Sequence, residues 1–346
     1  MQAVTAAGVT KDAEWIANLH EEMMLDITGG DPYRLLGFLM DNTKANRAAM
    51  RRLEAMYPHL LNVGCQAHGM SLLVKDIHRI LTGGSNTNYF TDAQTVADIT
   101  QPIMDAIHTI EADKPLQSQM LPMYDSLAAH LDKVHAEGSA AVKRLKLPQL
   151  FADRKAKLWV PSFSAAYLLD PIYFTQDPSG VWWLPFTKLS AEQQAEAKKC
   201  IMSLTPVANQ AAAAMEWDSM LLDGLPKSIT GEVMQLLTER KQQGGKVTVA
   251  PVSRRQNWWC NYASSTFPQL SAAALRVLSM PVTTGAAERN WSTWGQVYTK
   301  LRNRLAIRRG EMIVFIRQNL KLQGGATLTE DEDIAMQLAL ERAEEE

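Results

Sequence analysis

The chain has 346 residues, 46% of them hydrophobic, enough for one large core or two modest ones. Its 35 basic and 37 acidic side chains leave a formal charge of −2, which excludes a molecule-wide positive field for nucleic acid. The three cysteines, Cys65, Cys200 and Cys260, are odd in number and lack framework spacing, so a reduced, intracellular chain is expected. No apolar run approaches a membrane span, and the first residues lack the charged start and apolar core of a signal peptide.

The first eighty residues alternate helical and extended patterns. Trp15, Ile16, Leu19, Met23 and Met24 form a helical stripe over 11–25. The run Leu35–Met40 ends in Asp41-Asn42 and suits a strand buried on both faces. A helix over 43–57, a strand over 59–65 and a helix over about 67–80 follow, the rhythm of an α/β layer with a largely buried sheet. The breaker-rich joint Thr82–Asn88 changes the pattern. Beyond it, helices are marked by Val96, Ile99, Ile103, Ile107 and Ile110, and by Met123, Leu127, Leu131 and Val134. One long helix is expected over 190–222, an irregular stretch over 158–185 and a loop over 240–251. From Pro268 to Leu322 the pattern is helical, broken at Pro281.

Charge is unevenly spread. Arg289, Lys300, Arg302, Arg304, Arg308 and Arg309 fall in one run without an acid, whereas 330–346 holds eight acids against Arg342. The basic run reads either as phosphate contacts or as an exposed helix face; the acidic end reads as a solvated tail. Trp258, Trp259, Trp291 and Trp294 are interface anchors or ordinary core, and core is the commoner fate.

Three residues carry candidate chemistry. Asp41, at the carboxyl end of a strand, can point into the crevice where α/β folds place ligands and can hold Mg²⁺; Asp-Asn is also a common turn and helix start. Cys65 and His68 have the spacing of half a zinc site, but no second pair lies within reach. At neighbouring strand ends they can instead line the crevice beside Asp41. Glu288 adds an acid next to the basic, aromatic run, and two-metal phosphoryl transfer needs such carboxylates brought together.

Three blocks, in order, resemble the hAT (hobo/Activator-type) DNA transposases. FLMDNTKANRAAMRRLEAMYPHLLNVGCQAHGMSLLVKDI, residues 38–77, is similar to a family block of Asp-Asn-x-x-x-Asn, Tyr-Pro, Cys-x-x-His and a closing Asp-Ile. SFSAAYLLDPIYF, residues 162–174, is similar to its Ala-x-x-Leu-(Asn/Asp)-Pro-x-(Tyr/Phe) stretch, and residues 257–322 resemble its C-terminal dimerisation region. The resemblance implies an α/β RNase H-like core, interrupted by a large all-α insertion, to which the C-terminal helices return. It divides the chain into 1–81, the first part of the core; 82–256, the insertion; 257–323, the dimerisation region; and 324–346, the acidic tail.

It further implies that Asp41 and Glu288 are two of three acids holding Mg²⁺ or Mn²⁺, with His68 near the active centre. Arg289, Lys300, Arg302 and Arg304 become DNA contacts. The expected partners are a second copy of the chain, as homodimer or higher oligomer, and DNA, without a membrane, inside the nucleus. Two departures stand out. The family's first acid belongs on an opening strand, followed by Gly-Trp, but Asp12, Asp26 and Asp31 lie in or after a helix. Against the family pattern, the N-terminal zinc-finger module and part of the insertion after Ile80, where the family often has an Arg-Trp, are also expected to be missing. The chain by itself is therefore expected to be a catalytically inactive, truncated or domesticated relative binding no metal tightly, active only if a longer N-terminus supplies the missing acid. An unrelated metal-independent binding module is the remaining alternative.

Overall fold

The computed structural model describes residues 10–81, 93–112, 114–239, 241–243, 246–297 and 307–322. The joint at 82–88, the basic residues Lys300, Arg302 and Arg304, and the acidic tail lie outside the described residues. Two compact units emerge, one over Asp12–Thr283 and one comprising Met1–Lys11 and Thr284–Glu346.

The larger unit opens with helix α1 (Ala13–Thr28), whose first turn is capped by the Asp12 carboxylate on the Trp15 N–H at 2.9 Å. Strand β1 (Leu39–Met40), helix α2 (Lys44–Met56), strand β2 (Val63–Gly64) and helix α3 (Gln66–Leu81) follow. The two strands are parallel, and Leu61, Val63 and Cys65 donate their N–H groups to the carbonyls of Leu36, Phe38 and Met40. This evenly spaced ladder is the parallel pattern, with α2 as crossover. Gly37 is needed there, since a Cβ on it would stand 1.9 Å from the Leu61 carbonyl oxygen. The expected buried sheet shrinks to this pair: Leu35–Leu39 are only half-buried, and no third strand joins among the described residues.

Helices then dominate: α4 (Ala93–Glu111), α5 (Gln117–Glu137), α6 (Ala140–Arg144), α7 (Leu147–Leu158) and α8 (Pro161–Leu169). The stretch expected to be irregular thus contains α8, whose residues Ser162–Leu169 are all buried. A helix enclosed on every side shows no amphipathic period, which hid it in the sequence. Behind it come a hairpin, β3 (Thr175–Gln176) with β4 (Trp182–Trp183), then α9 (Ala191–Leu204), α10 (Gln210–Leu222) and α11 (Lys227–Thr238). The single helix expected over 190–222 is two helices. Pro206 has no N–H to donate and keeps Thr205 extended, so the chain breaks there.

The expected loop at 240–251 holds a second hairpin, β5 (Lys241–Gln243) with β6 (Lys246–Thr248). Helix α12 (Val252–Trp258), a π-helical turn at Trp259–Ala263 and helix α13 (Pro268–Ser279) close the unit. One core runs from Leu61 and Val63 through Ile103, Tyr124, Phe163 and Trp259 to Val282, with Leu36 and Leu39 against it, while Ala17, Met40, Ala49, Met50 and Leu53 of α1, β1 and α2 form a separate cluster. The ends of the unit are tied as well. Val282 accepts the Gln66 N–H at 2.9 Å, and Arg276 donates to the carbonyls of Tyr33 and Leu35, each at 3.0 Å.

The smaller unit contains helices α14 (Gly285–Val297) and α15 (Ile307–Leu322). They pack through Val297, Ile313 and Val314, with Trp294 against them.

Candidate functional site

The carboxyl ends of β1 and β2 form one polar edge, because parallel strands finish on the same side. Asp41 leaves β1 there, half-buried; its Oδ1 accepts the Thr43 N–H at 3.0 Å and an Asn46 amide hydrogen at 2.7 Å. Burial pushes the carboxyl upward, but the Thr43 and Asn46 hydrogen bonds and the charge of His68 outweigh it. Asp41 is held below the usual carboxylate range and is ionised at neutral pH. Next to it, Asn42 donates its amide to the Cys65 carbonyl at 2.6 Å. A Cβ on Gly64 would lie 2.2 Å from Asn42 Oδ1, so a side chain there would push the Asn42 amide from its place.

Cys65 opens α3 as a cap. Its carbonyl accepts the Gly69 N–H, and its sulfur accepts the His68 N–H at 3.5 Å and meets the Thr283 hydroxyl at 3.7 Å. The Cys-x-x-His spacing is therefore the geometry of a helix start. A structural zinc takes about four ligands, and among the described residues no three His, Cys, Asp or Glu side chains converge. The edge offers one carboxylate and one imidazole, with an Asp41 oxygen already occupied. A two-cation arrangement, which shares carboxylates between metals, is not assembled by the described residues of this unit.

Behind the edge lies a buried polar chain that sequence reasoning missed. Gln66, fully buried, donates to the carbonyls of Gly64 (2.8 Å) and Leu158 (3.1 Å) and accepts the Tyr124 hydroxyl at 2.6 Å. Burial alone drives the Tyr124 phenol far above its ordinary range, so it stays protonated and keeps the hydrogen that it donates to Gln66. Deeper still, Asp170 closes α8 and pairs with Arg255 of α12, both enclosed. Burial pushes the Asp170 carboxyl up against the pull of Arg255, Ser118 and the Ile172 N–H. Trp259 and Trp258 flank the pair's element, their indole N–H groups on the carbonyls of Leu169 (2.7 Å) and Ile229 (2.8 Å). Both tryptophans are core, not surface anchors.

In the smaller unit, Glu288 sits exposed in the first turn of α14. It accepts the Thr284 hydroxyl at 2.8 Å, and its N–H donates to the Thr284 carbonyl at 2.9 Å in an ordinary helical bond. Arg289 is exposed beside it. Trp291 is 69% exposed and Phe315 59%, with Met312 also open, while Trp294 is half-buried. Of the predicted site residues, Asp41 and His68 meet at one edge; Glu288 and Arg289 belong to the other unit.

The sequence from the end of α11 through α15, residues 237–320, matches the hAT family C-terminal dimerisation region. The match supports membership of the hAT transposase family. No curated protein matches the chain. The matched region contributes Arg255, Trp258, Trp259, Arg276 and Thr283 to the larger unit and both helices of the smaller one. Among the described residues, no helix is long and apolar enough to cross a membrane.

Proposed function

We propose that this hAT-family chain is a transposase-derived protein that associates with copies of itself through its C-terminal region, contacts DNA, and carries out no strand cutting or joining of its own. The observation that carries the reading is the hAT dimerisation match over 237–320, whose α14–α15 pair leaves Trp291, Met312 and Phe315 exposed. Large aromatics open to solvent on a packed helix pair are the groups that dominate interface energies. Arg289, Lys300, Arg302 and Arg304 are its phosphate contacts, and the nucleus is its compartment. Sedimentation equilibrium at micromolar concentration is expected to give a dimer or larger species. Replacing Trp291 with Ser should weaken association by about 2 kcal/mol, roughly thirtyfold. A wild-type chain that stays monomeric throughout would refute the reading.

Support for an RNase H-like core over 1–81, with a helical insertion over 82–256, comes from the parallel β1–α2–β2–α3 order and from Asp41 at the end of β1. One observation favours a second reading, metal-dependent transposition using Mg²⁺ or Mn²⁺: Asp41 is kept ionised at a strand end, the state a metal ligand needs. That reading needs Glu288 and a further acid alongside Asp41. Cleavage of a DNA duplex by the chain in Mn²⁺, abolished by Asp41→Asn, would select it.

A further inference from the structure

Helix α2 carries a charge pattern that its own stability does not call for. Ala49, Met50 and Leu53 face inward and are buried. Lys44, Arg47 and Arg51, spaced i, i+3 and i+7, share an outward arc of about 60° and extend roughly 10 Å along the axis. The helix begins with a lysine, has no acid in its first turn and no base in its last. Lys44 and Arg47, in the first turn, oppose the helix dipole. A local rule broken this way marks a feature kept for another purpose.

The neighbouring acids are committed elsewhere. Asp41 holds Thr43 and Asn46; Glu14 pairs with Arg52 at 3.8 Å, on a different arc; Glu54 feels Lys199 of α9. Among the described residues, the side chains of Lys44, Arg47 and Arg51 have no ion-pair or hydrogen-bond partner. Ala48 and Ala55 lie on the same outward side and add no bulk of their own to it, and Glu54, at the edge of the arc, faces Lys199. Large apolar side chains that would insert into a lipid surface are missing from the arc.

We propose that the Lys44–Arg47–Arg51 stripe is a contact surface for the phosphodiester backbone of a nucleic acid. Its length matches about three phosphates of one strand at 3.4 Å per residue of rise. Two forks and a point charge, without a free amide or aromatic beside them, hold a backbone but read no bases. The proposal rests on the reading that this chain contacts nucleic acid, and moves part of that contact from the C-terminal run to α2.

The test is fluorescence anisotropy of a labelled mixed-sequence duplex with the full chain over a range of KCl. Lys44→Gln/Arg47→Gln/Arg51→Gln should lower the steepness of log K against log salt by about 2.7, at roughly 0.9 per phosphate contact. The charge-keeping Lys44→Arg/Arg47→Lys/Arg51→Lys variant should retain the slope, and both variants should melt with the wild type. An unchanged slope in the Gln variant, alongside a loss in Arg289→Gln, would overturn the α2 surface and leave the C-terminal contact standing. An intact chain that binds no duplex would remove both. Equal or tighter binding to phosphatidylserine vesicles through the same three residues would replace nucleic acid with membrane and overturn the proposal.

Discussion

Asp41 and Asp170 are sequence siblings, each an acid closing an apolar run, and the fold sends them in opposite directions. Asp41 stays at a polar edge, served by its own helix start, and its carboxyl is held low. Asp170 is fully enclosed, and Arg255, 85 residues further on, is the cation that answers its charge, helped by Ser118 and the Ile172 N–H. The run before an acid says where its backbone ends. What arrives later in the chain decides whether the acid is a strut or a free functional group.

The sharpest way to break the contrast is at Arg255. Replacing it with Ala strands a buried carboxylate and should cost about 3–5 kcal/mol in urea unfolding. The joint change Asp170→Leu/Arg255→Met should recover most of that, because enclosed ion pairs add little beyond apolar packing. A single variant that unfolds like wild type would place Asp170 in the same class as Asp41.

An intermediate effect is expected from Tyr124→Phe, which leaves the Gln66 carbonyl oxygen buried without its donor, at about 1–3 kcal/mol. A thermal melt unchanged by the substitution would mean that Gln66 is not what supports the edge.

The smallest effect belongs to Asp41→Asn, about 0.5–1 kcal/mol at neutral pH, since an amide oxygen still accepts the same N–H groups. Its signature is in the acid limb. The folded pKa of Asp41 is lowered, so its contribution is complete above the unfolded value near 4. It fades as the pH falls through the lower folded value, because the unfolded chain then binds the proton first. Melting temperature against pH should therefore be flatter below about pH 4 in the variant; parallel curves would show that the Asp41 charge is not engaged.

Local signals made the first helices legible. The stripes over 11–25 and 43–57 are set within a turn or two. Asp41 and His68 were readable as neighbours because parallel strands end together. Elements set by distant packing were not: α8 has no exposed face to give it a period, and the Leu35–Met40 run resembles a central strand although few partners reach it. Gln66, Thr283 and Arg255 owe their roles to partners 58, 218 and 85 positions away. The α2 cations were masked by a chain-wide charge of −2, which averages away a three-residue stripe.

The Arg276 guanidinium seals the carbonyls of Tyr33 and Leu35, residues 243 and 241 positions earlier. A ribosome adding about 5–20 residues per second needs on the order of ten seconds or more to cover that interval. During translation the opening layer must wait, its carbonyls still in water, until the closing helix emerges. A layer laid down early is completed by a residue some 240 positions later.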